Sequence, residues 1–206
     1  MIINKKEIEE FYNNLTNNLK SEFGENTRIW VWPDGDDESD ENIKNNPEVR
    51  GVKGFYGNGV INNKVVIWIT ERPSSARDEL KAHKFPDNID KIFYTMLREE
   101  GLQNIHFTDF VKIMDKASKK PTEKELELSA KLMKKEIEML KIQNKELLII
   151  ANSRDVEKWM NKYLQEYFYI YKPFFKIVLG RFKKKYGGQK ALKETLKEIY
   201  EMTKKS

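Results

Sequence analysis

A continuous apolar run at residues 65–69 predicts a strand that is buried on both faces. It reads VVIWI and passes directly into the polar residues 70–75, TERPSS. Runs of this kind are typical of parallel sheets, because helices cover both faces of their strands. Open α/β folds bind ligands at the carboxyl ends of such strands, so residues 70–75 are where chemistry is first expected. An ordinary strand-to-loop junction is the alternative.

Helical and strand periodicities alternate along the rest of the chain. Helices are predicted at 5–23, 88–100, 122–140, 153–163, 174–186 and 189–203, and strands at 27–32, 64–70, 105–112, 146–151 and 167–171. The helix at 122–140 has the clearest start, a capping box of Thr122 and Glu125. The alternation from residue 64 predicts an α/β fold, a three-layer α/β/α sandwich with a central, mostly parallel sheet. A single domain, 1–206, is expected at this length.

Two segments have the composition of loops. Residues 33–50 are rich in Asp, Glu, Asn and Pro, with almost nothing apolar, and predict an exposed acidic loop. Within it, Asp34, Asp36 and Glu38 are spaced somewhat like calcium ligands, but the glycine is misplaced and no metal site is predicted. Residues 51–63 contain four glycines and predict a flexible connector.

The composition excludes several kinds of chemistry. The chain has no cysteine and only two histidines, which excludes disulfides, thiolate nucleophiles, iron–sulfur clusters and multi-histidine metal sites. No cofactor is expected. No apolar run approaches the ~20 residues of a membrane span, and the start of the chain is charged, so a cytoplasmic protein without membrane contact is expected. A monomer is expected as well. A charged fraction of 34%, chiefly Lys and Glu, is compatible with a thermophilic source.

The net charge of +5 is unevenly distributed. Residues 172–206 contain eleven Lys or Arg residues against three Glu, a local excess of eight positive charges. Such a basic region attracts polyanions, above all nucleic acid. Lysine-rich helices are also common as solvated surfaces, which is the alternative interpretation.

The strand at 105–112 carries both charged and apolar residues. Alternation places Ile105, Phe107, Asp109 and Val111 on one face and the remaining residues, including His106, on the other. A histidine in such a strand belongs more often to a packed face than to a catalytic site.

Four motifs in sequence order resemble the uracil-DNA glycosylase superfamily. The first is ITERPS at 69–74, similar to the family's strand followed by G-E-x-P-G. The second is HFTDFVK at 106–112, similar to its T-N-x-V-K or T-D-x-V-K strand. The third is the capped helix and buried strand of 121–153, and the fourth is Tyr-Lys-Pro at 171–173, where the family usually has His-Pro-Ser.

The resemblance, which spans about residues 51–202, implies a DNA-binding hydrolase of base excision repair. Such an enzyme flips a uracil-type or other deaminated or modified base out of DNA and cleaves its N-glycosidic bond. Glu71 matches the catalytic polar residue, and Lys172 lies nearest the histidine position and would act as a cation beside the departing base. Asp109 matches the residue that reads the edge of the base, and Phe85 lies roughly where relatives stack an aromatic ring on it.

Contacts with the DNA backbone are implied for a further set of polar residues near these motifs. They are Arg72, Ser74, Ser75, Arg181, Lys183, Lys184 and Lys185.

The chain departs from the family pattern at several positions. Thr70 and Ser74 stand where relatives often have Gly, and His-Pro-Ser is absent. Asp109 in place of Asn repels an acceptor such as uracil O4 unless the carboxyl is protonated, whereas it can accept from an amino group. The absence of cysteine excludes the iron–sulfur branch.

Two further functions stay open. One is a catalytically inactive protein of the same fold that binds nucleic acid or a nucleotide through the basic C-terminal region; the other is a different doubly wound enzyme that acts on nucleotides or sugars. In these cases Glu71 would form a loop salt bridge, Asp109 would be structural and Lys172 would be a surface lysine.

Overall fold

The computed structural model describes a large part of the chain. The described residues are 7, 10, 11, 14, 17, 18, 20–22, 59–71, 95–111, 120–141, 146–151, 153–167, 170–171 and 188–205. Their strands and helices are, in order, β1 (Val60–Ile61), β2 (Lys64–Thr70), β3 (His106–Asp109), α1 (Glu123–Leu140), β4 (Glu146–Ala151), α2 (Arg154–Tyr163), β5 (Ile170–Tyr171) and α3 (Gly188–Lys204). Residues 95–99 and the described positions between 7 and 22 are also helical.

The described residues form a mixed α/β structure with a small mixed sheet. Strand β2 pairs in parallel with β3 and β4, β4 pairs in parallel with β5, and β1 is antiparallel to β2. Because β4 occupies one edge of β2 over Lys64–Ile69, β1 and β3 share the other edge, one beside each end of β2. The parallel strands therefore lie in the order β3-β2-β4-β5.

Side chains of β2 alternate between two separate apolar cores. Val65, Ile67 and Ile69 pack into a core that includes residues of α1 and α2. Val66 and Trp68 face a second core, which includes Leu97 and residues of α3. All five residues are buried, so the continuous apolar run has the two-sided burial that its pattern predicts.

Helix α1 follows its sequence signature closely. The Glu125 backbone N–H donates to the Thr122 hydroxyl at 3.3 Å, and the Thr122 backbone N–H donates to the Glu125 carboxylate at 2.6 Å, which confirms the capping box. The predicted apolar stripe is buried along its whole length; it comprises Leu126, Ala130, Met133, Ile137 and Leu140.

Other predicted elements are confirmed with small shifts of their ends. Ser153 caps α2, since its hydroxyl accepts from the Val156 backbone N–H at 3.2 Å. Of the strand predicted at 167–171, Ile170–Tyr171 is a strand and Tyr167 is not, while residues 168–169 lie outside the described residues. The described positions of the predicted helix 5–23 are helical, and Phe11 packs against the core shared by α1 and α2. The strand predicted at 27–32 and the helix at 174–186 lie outside the described residues.

The predicted connector at 51–63 is wrong at its carboxyl end, where β1 and β2 form a hairpin. Asn62 and Gly59 adopt left-handed backbone angles, with φ of 52° and 72°. The Asn62 side-chain amide donates to the Thr203 hydroxyl at 2.6 Å, which ties the turn to α3. The turn chemistry of asparagine therefore outweighs the glycine-rich composition that favoured a connector.

Gly101 ends the helical segment 95–99 in a left-handed conformation with φ of 74°, and an added Cβ would lie 3.0 Å from Tyr200 Cε2. We expect Gly101→Ala to lower the free energy of unfolding by about 1–2 kcal/mol, because the left-handed backbone strains a Cβ that also crowds the ring. Urea denaturation followed by circular dichroism measures the loss. The exposed neighbour Gln103→Ala should leave stability unchanged, and equal stability of the two variants would contradict the assignment.

No helix in the described part of the chain is long and apolar enough to cross a membrane.

Candidate active site

The carboxyl ends of β2 and β3 lie side by side. Their register pairs Thr70 with Asp109. The pairing continues beyond the strands, because Phe110 N–H donates to the Thr70 carbonyl at 2.8 Å and Val111 N–H donates to the Glu71 carbonyl at 3.0 Å. The structure thus brings Glu71 and Asp109 to adjacent positions on one edge of the sheet.

The two carboxylates have different surroundings. Asp109 is only 3% exposed, and its Oδ1 accepts a hydrogen bond from the Thr70 hydroxyl. Glu71 and Thr70 are half-buried. A buried carboxylate needs hydrogen-bond donors to offset its desolvation, and Thr70 supplies one from the neighbouring strand. Glu71 keeps contact with solvent.

An aromatic pair lies next to the Thr70–Asp109 pair. Trp68 and Phe107 precede Thr70 and Asp109 by two residues, so they share the same face of the sheet. Their ring centroids are 5.4 Å apart, and both residues are buried. The polar pair therefore continues an apolar surface at the edge of the sheet.

Strand order marks this edge as a ligand-binding position. The chain passes from β2 to its neighbour β3, and from β4 to its neighbour β5 on the opposite side. The direction of winding thus reverses between β2 and β4, and open α/β sheets bind ligands at the carboxyl ends of strands at such a reversal. Glu71 follows β2 at this point, and Ser153 follows β4.

Helix α2 begins beside the same edge of the sheet, and its last turn is hydrogen-bonded to the first residue of α1. Glu123 accepts hydrogen bonds from Lys162 and Tyr163. These two donors lower the pKa of the exposed Glu123 carboxyl, and Lys162 has the larger effect. Asp155 and Glu157 occupy the first turn of α2 and complement the positive end of the helix dipole.

His106 lies in the core. Its Nε2 is 2.8 Å from Glu136 Oε1, and both side chains are 0% exposed. The alternation of β3 places His106 on the face of the sheet opposite to Asp109. The packed-histidine interpretation is therefore the one that the structure favours.

Phe107 and Phe110 lie in different cores, as the predicted alternation requires, but Val111 does not follow it. Val111 joins Phe110 in the core that includes α1, although alternation placed it with Phe107. The reason is that β3 ends at Asp109, beyond which the two-residue period no longer applies.

Two participants were missed by the sequence interpretation. Thr70 lies in the segment 70–75 where chemistry was expected, but it was given no role of its own, although its position opposite Asp109 gives its hydroxyl a partner. Glu136 falls three residues after Met133, on the buried face of α1. A charged residue on an otherwise apolar helix face was the signal that could have identified it as a buried polar group.

The remaining predicted site residues lie outside the described part of the chain. They are Lys172, Phe85, Arg72, Ser74, Ser75, Arg181, Lys183, Lys184 and Lys185. The acidic segment 33–50 is also outside it. Within the described ranges, no group of three or more His, Cys, Asp or Glu side chains could hold a metal ion.

The described part of the basic C-terminal region is largely charge-compensated. Lys193 lies 3.0 Å from Glu99, and Lys204 lies 2.8 Å from Glu201. Six of the eleven positive residues of the region fall in 172–187, a segment without Asp or Glu. The excess of positive over negative residues in the region thus falls mostly in that segment of the sequence.

No family model matches the chain, and no curated protein matches it either.

Proposed function

We propose that this protein is a DNA glycosylase that flips a uracil-type or other deaminated or modified base out of DNA and hydrolyses its N-glycosidic bond. The observation that carries the proposal is the adjacency of Glu71 and Asp109 at the carboxyl edge of parallel strands. In the resembling family these two positions supply the catalytic residue and the base-reading residue.

The proposed fold is the three-layer α/β/α sandwich of the uracil-DNA glycosylase type. Apolar cores on both faces of β2 support it, since one includes α1 and α2 and the other includes α3. The parallel order β3-β2-β4-β5 supports it as well, because it is the doubly wound order with a reversal beside β2. A cytoplasmic monomer that acts on DNA stays a prediction from the sequence.

The proposed reaction is a substitution at the sugar C1′ atom. The bond from C1′ to the base nitrogen breaks, its electron pair leaves with the base, and water supplies hydroxide to C1′ and a proton to the base. The transition state resembles an oxocarbenium ion, which the carboxylate of Glu71 would stabilise while orienting the water. Lys172 would stabilise the negative charge on the leaving base, Asp109 would read the base, and Phe85 would stack on it.

A cleavage assay tests the proposal. Oligonucleotides with uracil, hypoxanthine, xanthine, or thymine opposite guanine are incubated with the protein, and alkali then cuts the abasic sites. We expect cleavage of at least one substrate, with a rate about 10²–10⁴-fold lower in Glu71→Gln and a clear loss in Lys172→Ala. Glu146→Gln is the matched control, since Glu146 lies at the opposite end of the sheet beside Lys64.

The control should cleave at the wild-type rate. Cleavage that survives Glu71→Gln undiminished would remove Glu71 from the mechanism. Absence of cleavage on all four substrates would reject the glycosylase assignment.

A second function, nucleic-acid binding without catalysis, is favoured by one observation. Residues 172–187 contain six Lys or Arg residues and no Asp or Glu. A protein of this fold without glycosylase activity would bind nucleic acid through that segment. Its signature is retention of DNA in a gel without cleavage, weakening steeply with salt as counterions are released. Neutral substitutions at Lys183, Lys184 and Lys185 should then abolish the retention.

A further inference from the structure

A buried polar pair joins β3 to α1. His106 of β3 is in register with Ile67 of β2, and its Nε2 lies 2.8 Å from Glu136 Oε1 on α1. Both side chains of the pair are 0% exposed. A hydrogen bond depends on the direction and the separation of its two atoms, whereas apolar packing has no direction. The pair is therefore a contact that distinguishes one placement of β3 on α1 from another.

The neighbours of Glu136 on the buried face of α1 are apolar. Leu132 and Met133 lie one helical turn before it and Leu140 lies one turn after it, and all three are buried. A slip of β3 along α1 by one turn would replace apolar contacts by similar ones, but it would separate Glu136 from His106. Buried polar groups that lose a partner keep the cost of their desolvation, so the pair disfavours the slip.

The placement of β3 affects the carboxyl edge of the sheet. This strand is four residues long and wholly buried, and the chain stays paired with β2 beyond its end. Phe110 N–H donates to the Thr70 carbonyl at 2.8 Å. Val111 N–H donates to the Glu71 carbonyl at 3.0 Å. The backbone at Glu71 is therefore held in part by the segment that begins at His106.

Resting on the proposed glycosylase function for the role of Glu71, we infer that Glu136 is a positioning residue. Through His106 it fixes the register of β3 on α1, and the end of β3 in turn holds the backbone at Glu71. The pair thus acts on the candidate site from inside the core, without contact with a substrate.

A double variant with leucine at His106 and Glu136 tests the inference, because it keeps an apolar contact and removes the directional one. We expect it to fold, with the amides of Phe110 and Val111 exchanging with deuterium about tenfold or more faster, relative to the amides of β4, than in the wild type. A general loss of stability would accelerate both sets of amides alike. Hydrogen exchange followed by NMR measures each amide in the full chain.

Two single variants serve as controls. Glu136→Gln keeps the length of the side chain, and its amide can accept a hydrogen bond from His106 or donate one to it. It should therefore keep the wild-type exchange rates at Phe110 and Val111. Glu138→Leu, at an exposed position of α1, should keep them as well.

The cleavage assay supplies a second readout. The double variant should show a kcat about 10–100-fold lower, with KM changed much less, because a displacement of about 1 Å at a catalytic group has an effect of this size. Glu136→Gln should cleave at a rate close to that of the wild type.

The outcomes separate this inference from the proposed function. Unchanged exchange at Phe110 and Val111 in the double variant, or acceleration no greater than that of β4, would overturn the inference. Failure of the double variant to fold, or faster exchange at these amides in Glu136→Gln, would overturn it too, since the pair would then do more than set a register. Wild-type cleavage by a double variant with faster exchange would show that Glu71 is not positioned through β3. If the wild type cleaves no substrate, the proposed function fails, and the exchange rates alone decide whether the pair fixes β3.

Discussion

Glu136→Leu is expected to lower the free energy of unfolding by about 3 kcal/mol, the upper end of the usual cost of leaving a buried hydrogen-bonding group without its partner. Glu136 and His106 are both completely buried, and Nε2 lies 2.8 Å from Oε1. In the variant, the His106 nitrogen loses this oxygen in a place that water does not reach. For a chain of 206 residues the loss corresponds to a fall in melting temperature on the order of 10 °C.

A double-mutant cycle tests whether the lost stability comes from the His106–Glu136 pair or from a change in α1. The variant with leucine at both His106 and Glu136 should regain part of the lost stability, because neither member of the pair is then left buried without the other. Glu138→Leu, at an exposed position of the same helix, should change stability by less than about 0.5 kcal/mol. A double variant no more stable than Glu136→Leu would show that the pair is not the cause.

Trp68→Ala is the second large effect, with an expected loss of about 3–5 kcal/mol. Trp68 is 2% exposed at the centre of the sheet, and its ring lies 5.4 Å from that of Phe107. Truncation removes the largest side chain that is buried among the described residues and leaves a cavity between the sheet and the helices that cover it. Urea denaturation followed by circular dichroism measures the change in unfolding free energy.

The control for this substitution is Trp68→Phe, which keeps an aromatic ring beside Phe107. Its loss should be clearly smaller, because less apolar area is removed. Equal losses in the two variants would mean that the indole itself, rather than the filled volume, is what the core requires. A loss below about 1 kcal/mol in Trp68→Ala would contradict the assignment of Trp68 to the core.

The candidate site was predicted from the sequence only in part. Polar residues directly after buried strands pointed to Glu71 and Asp109, because parallel strands end at a common edge. The register that sets Asp109 opposite Thr70 could not be predicted from the sequence, because strand pairing depends on contacts between residues 39 positions apart. Thr70 could therefore be recognised as an unusual residue but not as the donor to Asp109.

Neighbouring residues were enough to specify the local elements of the protein. The apolar period of α1, its Thr122–Glu125 capping box and the uninterrupted apolar run of β2 follow from residues close in sequence, and local hydrogen bonds and burial stabilise them. The order of the strands and the partners of the buried polar groups depend instead on contacts between residues that are far apart in the chain. Thr70 with Asp109 and His106 with Glu136 meet across different elements, where burial removes water and each polar atom must find its partner in space.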